Sequence, residues 1–247
     1  MNLYKNELVE IFFGDKNTSL VPDEFRGKAS DQLHTKKAFV AIENEFSVSL
    51  KAFVFLHQTH GIDGLVITRE NMSMPVFTHH GDYLVTNVSG VGIGVVTADC
   101  LSIVLVDRAK KAVGVVHAGW KGLVAGVVEQ AVERMCGEYG SVFTDINFII
   151  GPSAHACCYE VGKSFFNEAR ALRPSIESFL QASFFERQGR FFFDAILFLK
   201  LIFFEKGFVE RDFDFLHAEC TICKPVYCSY RREKTSPLRQ LTIVSLK

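Results

Sequence analysis

Residues 91–135 read VGIGVVTADCLSIVLVDRAKKAVGVVHAGWKGLVAGVVEQAVERM. Residues 91–97, 101–107 and 112–118 are rich in valine, leucine and isoleucine and are separated by turn-forming residues, which predicts three strands. From Gly122 the apolar spacing becomes helical, with Glu129 expected on the solvent-facing side, and Gly137 and Gly140 are predicted to end that helix. Cys100 and His117 lie at strand ends, so we expect their side chains to converge on one rim of a sheet.

The rest of the chain predicts further strands and helices in irregular alternation, which favours mixed sheets over a purely parallel one. Residues 14–35 show no sustained period and are predicted to be loop. Ser164 and Asp194 are predicted N-caps. Predicted strands are residues 8–13, 51–58, 65–68, 83–87, 144–150, 191–193 and 241–246, with more strand structure within 220–230; predicted helices are 36–46, 165–172 and 195–206.

Composition and charge limit the classes of protein to which this chain can belong. The 247 residues carry a formal net charge of −1, which gives no field for binding nucleic acid or an anionic membrane. We expect one domain, residues 1–247. Residues 1–17 do not resemble a secretory signal, so we expect a cytoplasmic location. The seven cysteines are odd in number, which argues against a disulfide framework. Asp194 and Lys200 interrupt the phenylalanine-rich residues 184–208, so we expect a buried helix there and no membrane span.

One set of residue types matches a metal site. Cys100, His117 and His60 offer one thiolate and two imidazoles, a donor set that suits zinc and, less well, copper. Three protein ligands leave a fourth position for water, as in catalytic zinc sites. The spacing alone is equally consistent with a core cysteine and two histidines at strand ends. His57, inside a predicted strand, is expected to be structural.

Other motifs are less specific. The turn at 119–122, GWKG, precedes a helix and could hold an anion or be an ordinary tight turn. Cys220 and Cys223 form a Cys-x-x-Cys pair, near Cys228 and His217, which is a weak indication of structural zinc. Arg231 and Arg232, beside a tyrosine, are candidate phosphate or base ligands, although adjacent arginines are commonly just surface.

Several motifs together resemble a known family. They are HQTHG from His57, GDYLVT from Gly81, TADC from Thr97, HAGWKG from His117, CCYEVG from Cys157, CT at Cys220 and SYRR from Ser229. The chain is similar to the family long labelled multicopper polyphenol oxidases or laccase-domain proteins, since reassigned as purine nucleoside phosphorylases. These motifs span roughly residues 50–245.

This resemblance implies a zinc site made by His60, Cys100 and His117. It implies phosphorolysis of adenosine, inosine and methylthioadenosine with inorganic phosphate, and deamination of adenosine. It also implies a layered α/β (α+β) sandwich of mixed sheets flanked by helices, similar to the catalytic domain of cytotoxic necrotizing factor toxins. The sequence departs from the family pattern at residues 12–20 and 236–240, so substrate preference is less well specified than the metal site.

Two other functions are consistent with the same residues. Cys100 could act as a nucleophile activated by His117 in a cysteine hydrolase that needs no metal. The older oxidase label would require several copper centres, and the eight histidines give at most one convincing site. A non-catalytic binding role would predict no turnover of any nucleoside.

Overall fold

The computed structural model describes residues 3–29 and 37–247, and of Lys37 and Ala38 only the backbone. Strands predicted at 91–97, 101–107 and 112–118 have those bounds. The strands are β1 Leu3–Lys5, β2 Val9–Phe13, β3 Ala52–Phe55, β4 Gly64–Ile67, β5 Tyr83–Thr86, β6 Val91–Thr97, β7 Leu101–Asp107, β8 Ala112–Ala118, β9 Ile146–Ile150, β10 Glu160–Val161, β11 Phe184–Arg187, β12 Arg190–Phe193, β13 Phe213–Asp214 and β14 Gln240–Leu246.

The α-helices lie mainly in the second half of the described chain. They are α1 Lys37–Glu45, α2 Trp120–Ala125, α3 Val127–Tyr139, α4 Phe165–Leu172, α5 Glu177–Ser183, α6 Ala195–Glu205 and α7 Tyr230–Glu233. Short 3-10 helices lie at Lys16–Thr18, Pro22–Glu24, Phe143–Asp145, Pro174–Ile176 and Glu210–Asp212. None of the helices in the described residues is long and apolar enough to cross a membrane.

Two mixed sheets form the centre of the fold. The first sheet has the strand order β1-β2-β14-β6-β3, and the second sheet has the order β13-β9-β7-β8-β5-β4. Strands β10-β12-β11 form a small separate sheet. The pairs β3–β6, β4–β5 and β9–β13 are parallel, and the remaining ladders in the described residues are antiparallel. The predicted layered sandwich of mixed sheets flanked by helices is therefore confirmed.

The layers follow from the two-residue period of the strands. In β7, Val104 and Val106 point into a core shared with the first sheet, while Leu101, Ile103 and Leu105 point into a second core. The second core contains the buried faces of α3 and α6. A third core, rich in phenylalanine, covers the outer face of the first sheet and includes residues of α1. The central strands are therefore buried on both faces, which explains their continuous apolar runs.

The structure differs from several predictions near turns. The helix predicted from Gly122 is two helices, because Gly126 adopts a positive φ of 104° between α2 and α3. Gly137 lies inside α3, and Gly140 alone ends it, at φ 64°. Glu129, predicted to face solvent, is buried and pairs with Arg173 at 2.6 Å.

Two further differences concern loops and caps. No strand forms within 220–230, where the described backbone makes turns and α7. Ser164 precedes α4 but its side chain makes no capping hydrogen bond, whereas Asp194 caps α6 through Leu197 N–H at 2.9 Å. The described part of the loop predicted at 14–35 contains two 3-10 helices, and residues 30–35 lie outside the described residues. Lys36 and the side chain of Ala38, from the helix predicted at 36–46, also lie outside them.

Candidate metal centre

The fold brings His60, Cys100 and His117 together at one end of the central strands of the second sheet. Cys100 immediately precedes β7, and His117 lies near the end of β8, opposite Ser102 of β7. His60 comes from the loop between β3 and β4 and has a positive φ of 60°. The predicted convergence of the two strand ends is thus observed, and the third side chain arrives from an earlier loop.

The three donor atoms have the spacing of a metal site. They all lie within 4.8 Å of one another, and Cys100 Sγ is 3.9 Å from His60 Nε2. Zinc–sulfur and zinc–nitrogen bonds of about 2.3 and 2.0 Å put such atoms about 3.5 Å apart in a tetrahedron. The two imidazoles stand edge to face, with centroids 4.8 Å apart. A single ion therefore fits between these groups with small side-chain movements.

Asp82 organises two of the three candidate ligands. Its buried carboxylate accepts a hydrogen bond from His117 Nδ1 at 2.8 Å, which leaves Nε2 free to face Cys100. The same carboxylate accepts the backbone N–H groups of Thr59, His60 and Gly61 at 2.8–3.1 Å, and the hydroxyl of Thr59 at 2.9 Å. Such carboxylates orient metal-binding histidines in many proteins. Asp82 was not predicted as a site residue from the sequence, although it lies in the quoted GDYLVT motif.

Two glycines of the HAGWKG motif allow the His60 loop to approach. A Cβ atom on Gly119 would lie 2.4 Å from His60 Cδ2, and one on Gly122 would lie 2.7 Å from Gly61 O. Neither position has room for a larger residue. The motif thus has a packing role against the candidate ligand; the anion site predicted at residues 119–122 stays a prediction.

The protonation of Cys100 and His117 is strongly coupled. Burial would raise the pKa of Cys100, but the charge and hydrogen bond of His117, with a smaller effect of His60, lower that pKa to about 6. Burial would lower the pKa of His117, but Cys100 and Asp82 raise it to about 9. At neutral pH the metal-free pair is therefore a thiolate beside an imidazolium. Zinc, which binds thiolate and neutral imidazole, would displace the imidazolium proton.

Two cavities meet at these residues. One, of about 390 Å³, is lined by Trp120, Lys121 and Tyr159, and the other, of about 430 Å³, by Tyr230 and Arg239. His60 and Cys100 line both. Each volume is within the range of small-molecule sites. Tyr159 and Arg239 were not identified as site residues from the sequence, and Trp120 and Lys121 were identified only as part of a possible anion-binding turn, because separate motifs give no sign that they line cavities beside the same three side chains.

The two predicted substrate arginines make contacts within the protein. Arg232 donates to the carbonyls of Thr221, Ile222 and Tyr227 at 2.5–3.0 Å. Arg231 donates to the carbonyl of Glu160 at 2.7 Å. Neither lines the two cavities, so their role in substrate binding stays a prediction, and the contacts of Arg232 favour a structural role.

The remaining predicted residues do not lie together at one site. His57 packs edge to face against His80, with ring centroids 5.0 Å apart. Cys220 and Cys223 join two other cysteines, whereas His217 stacks on Phe13. Cys228, although buried like Cys220, is not in that group.

A family model described as multi-copper polyphenol oxidoreductase laccase matches residues 27–247. The chain belongs to this family. A purine nucleoside phosphorylase of Aquifex aeolicus is 39% identical over 168 residues, which are 66% of this chain and 70% of that protein. Adenosine deaminase RL5, from an unknown prokaryotic organism, is 36% identical over 137 residues, covering 53% and 52% of the two chains.

A solved structure agrees with the fold. The crystal structure of Bacillus licheniformis hypothetical protein YfiH superposes with a TM-score of 0.77 over 97% of this chain and 93% of that one. Its sequence identity is 22%, so this likeness concerns the fold alone. The resemblance inferred from the short motifs is thereby confirmed at the level of family and architecture. The relatives' names indicate an enzyme of purine metabolism.

Proposed function

We propose that this protein is a zinc-dependent purine nucleoside phosphorylase that also deaminates adenosine. Its substrates are adenosine, inosine and methylthioadenosine, with inorganic phosphate as the second substrate of phosphorolysis. The convergence of His60, Cys100 and His117 between two cavities is the observation that supports this proposal most strongly. The names of the phosphorylase and deaminase relatives supply the substrate class.

His60, Cys100 and His117 would hold the zinc. Bound there, zinc supplies a Lewis acid and the means to activate water at neutral pH. Asp82 keeps a proton on His117 Nδ1 and so directs Nε2 toward Cys100. The hydrogen bonds of Asp82 to residues 59–61 hold the His60 loop against the same point, so the ligands are positioned before the metal binds.

The cavity beside Trp120 has walls that suit a purine nucleoside. The rings of Trp120 and Tyr159 offer flat apolar surfaces for a base, and Lys121 offers a cation for phosphate. In phosphorolysis a phosphate oxygen forms a bond to ribose C1′ as the bond from C1′ to the base breaks, and the base takes up a proton. In deamination water replaces the amino group at C6, which leaves as ammonia.

Chromatography of inosine and adenosine incubated with the purified protein tests this proposal. We expect free base to appear only when phosphate is present, and inosine to appear from adenosine without phosphate. Cys100→Ala should abolish both reactions and the zinc at this site, whereas Cys136→Ala, on α3 and outside the donor group, should retain them. Full turnover by Cys100→Ala without zinc at this site would refute the mechanism.

Alkylation of Cys100 and removal of the metal separate a second candidate function from the first. Cys100, His117 and Asp82 also have the arrangement of a cysteine nucleophile with its base and orienting carboxylate. That function predicts rapid alkylation of Cys100 in zinc-loaded protein, together with activity that survives metal removal. The relatives do not favour it, and they do not favour a copper oxidase.

A further inference from the structure

Four cysteines outside the His60 site lie together: Cys157, Cys158, Cys220 and Cys223. Their sulfur atoms are all within 4.8 Å of one another. Cys223 Sγ is 3.5 Å from Cys157 Sγ and 3.1 Å from Cys158 Sγ. Zinc–sulfur bonds of about 2.3 Å in a tetrahedron place sulfurs about 3.8 Å apart. The two measured separations are slightly shorter than that value and all pairs lie within 4.8 Å, so one ion fits among the four sulfurs with small side-chain movements.

The backbone delivers these cysteines from two segments that are joined next to them. Ser153 N–H donates to Glu219 O at 3.0 Å, and Thr221 N–H donates to Ser153 O at 2.9 Å. The guanidinium of Arg232 binds the carbonyls of Thr221 and Ile222, inside the Cys-x-x-Cys turn. The turn is therefore fixed by contacts that do not depend on a metal.

Nearby donor groups would support metal-bound thiolates, whereas burial and the neighbouring thiols raise the pKa of Cys157 and Cys158 in the metal-free protein. The backbone N–H groups of His155 and Cys223 donate hydrogen bonds to Cys220 Sγ. Hydrogen bonds of this kind orient metal ligands. Arg187 donates to Cys157 O at 2.8 Å and brings a positive charge to the edge of the cluster. Without an ion, four sulfurs at these separations gain little from one another, because thiols are weak donors and weak acceptors.

We propose that the four-cysteine cluster is a second metal site, which binds one zinc ion in a closed, structural manner. Four thiolates leave no position for a substrate, which distinguishes this site from the His60 site. Both segments also contact Asp99, the residue before Cys100: Ala154 N–H donates to Asp99 O at 2.8 Å, and Thr221 Oγ1 donates to Asp99 Oδ1 at 2.7 Å. The bound ion would thus brace the backbone behind Cys100.

Metal content and X-ray absorption test the proposal independently of any enzyme activity. In protein purified anaerobically with zinc, we expect two zinc ions per chain. Cys100→Ala should retain one, whose spectrum fits four sulfurs at about 2.3 Å. Adding Cys223→Ser to Cys100→Ala should remove that ion, whereas adding Cys136→Ser should not. Cys157 and Cys223 are exposed, so a strong chelator should also remove it.

A thermal measurement keeps the test decisive if the double variant folds poorly. In the Cys100→Ala background, a strong chelator should lower the unfolding temperature, and zinc should restore it. The proposal is overturned if Cys100→Ala holds no zinc after reduction and zinc addition, or if its zinc has fewer than four sulfur ligands. A disulfide between Cys158 and Cys223 that persists under reducing conditions would also overturn it. None of these outcomes depends on whether the protein cleaves nucleosides.

Discussion

Replacing Asp82 by asparagine should weaken both the fold and the metal site. One carboxylate oxygen accepts three hydrogen bonds and the other two. Asparagine keeps a single acceptor oxygen, so at least two of these bonds are lost. Hydrogen bonds to charged groups contribute about 1.5 kcal/mol or more each, so we expect the free energy of unfolding to fall by about 3 kcal/mol.

The same substitution should reduce zinc affinity by about 10- to 100-fold, the usual effect of removing a partner of a metal-binding histidine. Urea unfolding of the metal-free protein, followed by circular dichroism, measures the stability, and competition with a chromophoric chelator measures the affinity. Asp107→Asn is the matched control, because Asp107 is equally buried but lies at the far end of β7 and accepts from Lys110 N–H. A stability loss below about 1 kcal/mol with unchanged zinc affinity would refute the central role of Asp82.

Three further substitutions and one pH dependence give measurable outcomes. Gly119→Ala should displace the imidazole of His60 and weaken zinc binding at least about tenfold in chelator competition. Gly137→Ala is its control: nothing lies within 4 Å of the new Cβ, so this change should stabilise the helix by about 0.5–1 kcal/mol. Arg232→Met should lower the unfolding temperature and leave the KM for phosphate unchanged; a raised KM with unchanged stability would instead support substrate binding. In metal-free protein, the alkylation rate of Cys100, followed by peptide mass spectrometry, should be half-maximal near pH 6, since its pKa is lowered to about 6; a midpoint near pH 9 would contradict the thiolate–imidazolium pair.

The central strands were predictable because their apolar runs are long and uninterrupted. The strands at 91–97, 101–107 and 112–118 are buried on both faces, so residues on both faces add to the apolar run that predicts a strand. The strands β1, β10 and β13 were not predicted, because two or three residues carry too little pattern, and β11 was not predicted because none of its four residues is buried. Glu129 was misplaced for another reason: its burial depends on Arg173, which lies 44 positions further along the chain.

The candidate metal site was partly predictable from residue type and strand ends. Cys100 and His117 follow from the strands themselves, whereas the selection of His60 over His57 came from the family resemblance. Asp82 could not be identified, because a carboxylate that holds a distant loop leaves no local pattern. The proximity of Cys157 and Cys158 to Cys220 could not be predicted from the sequence either, since the two segments meet only through tertiary contacts.

The strand order also bears on how the molecule folds. β14 lies between β2 and β6, so closing the first sheet brings Val9 to Leu246 across nearly the whole chain. By contrast, β7 and β8 are joined by a short turn and pair locally. Because distant pairings pay a larger loop entropy, we expect the local hairpin to form early and the first sheet to close late. Cys100 and His117 would then be neighbours before folding is complete, so the proposed zinc ion would stabilise this hairpin while the rest of the chain folds.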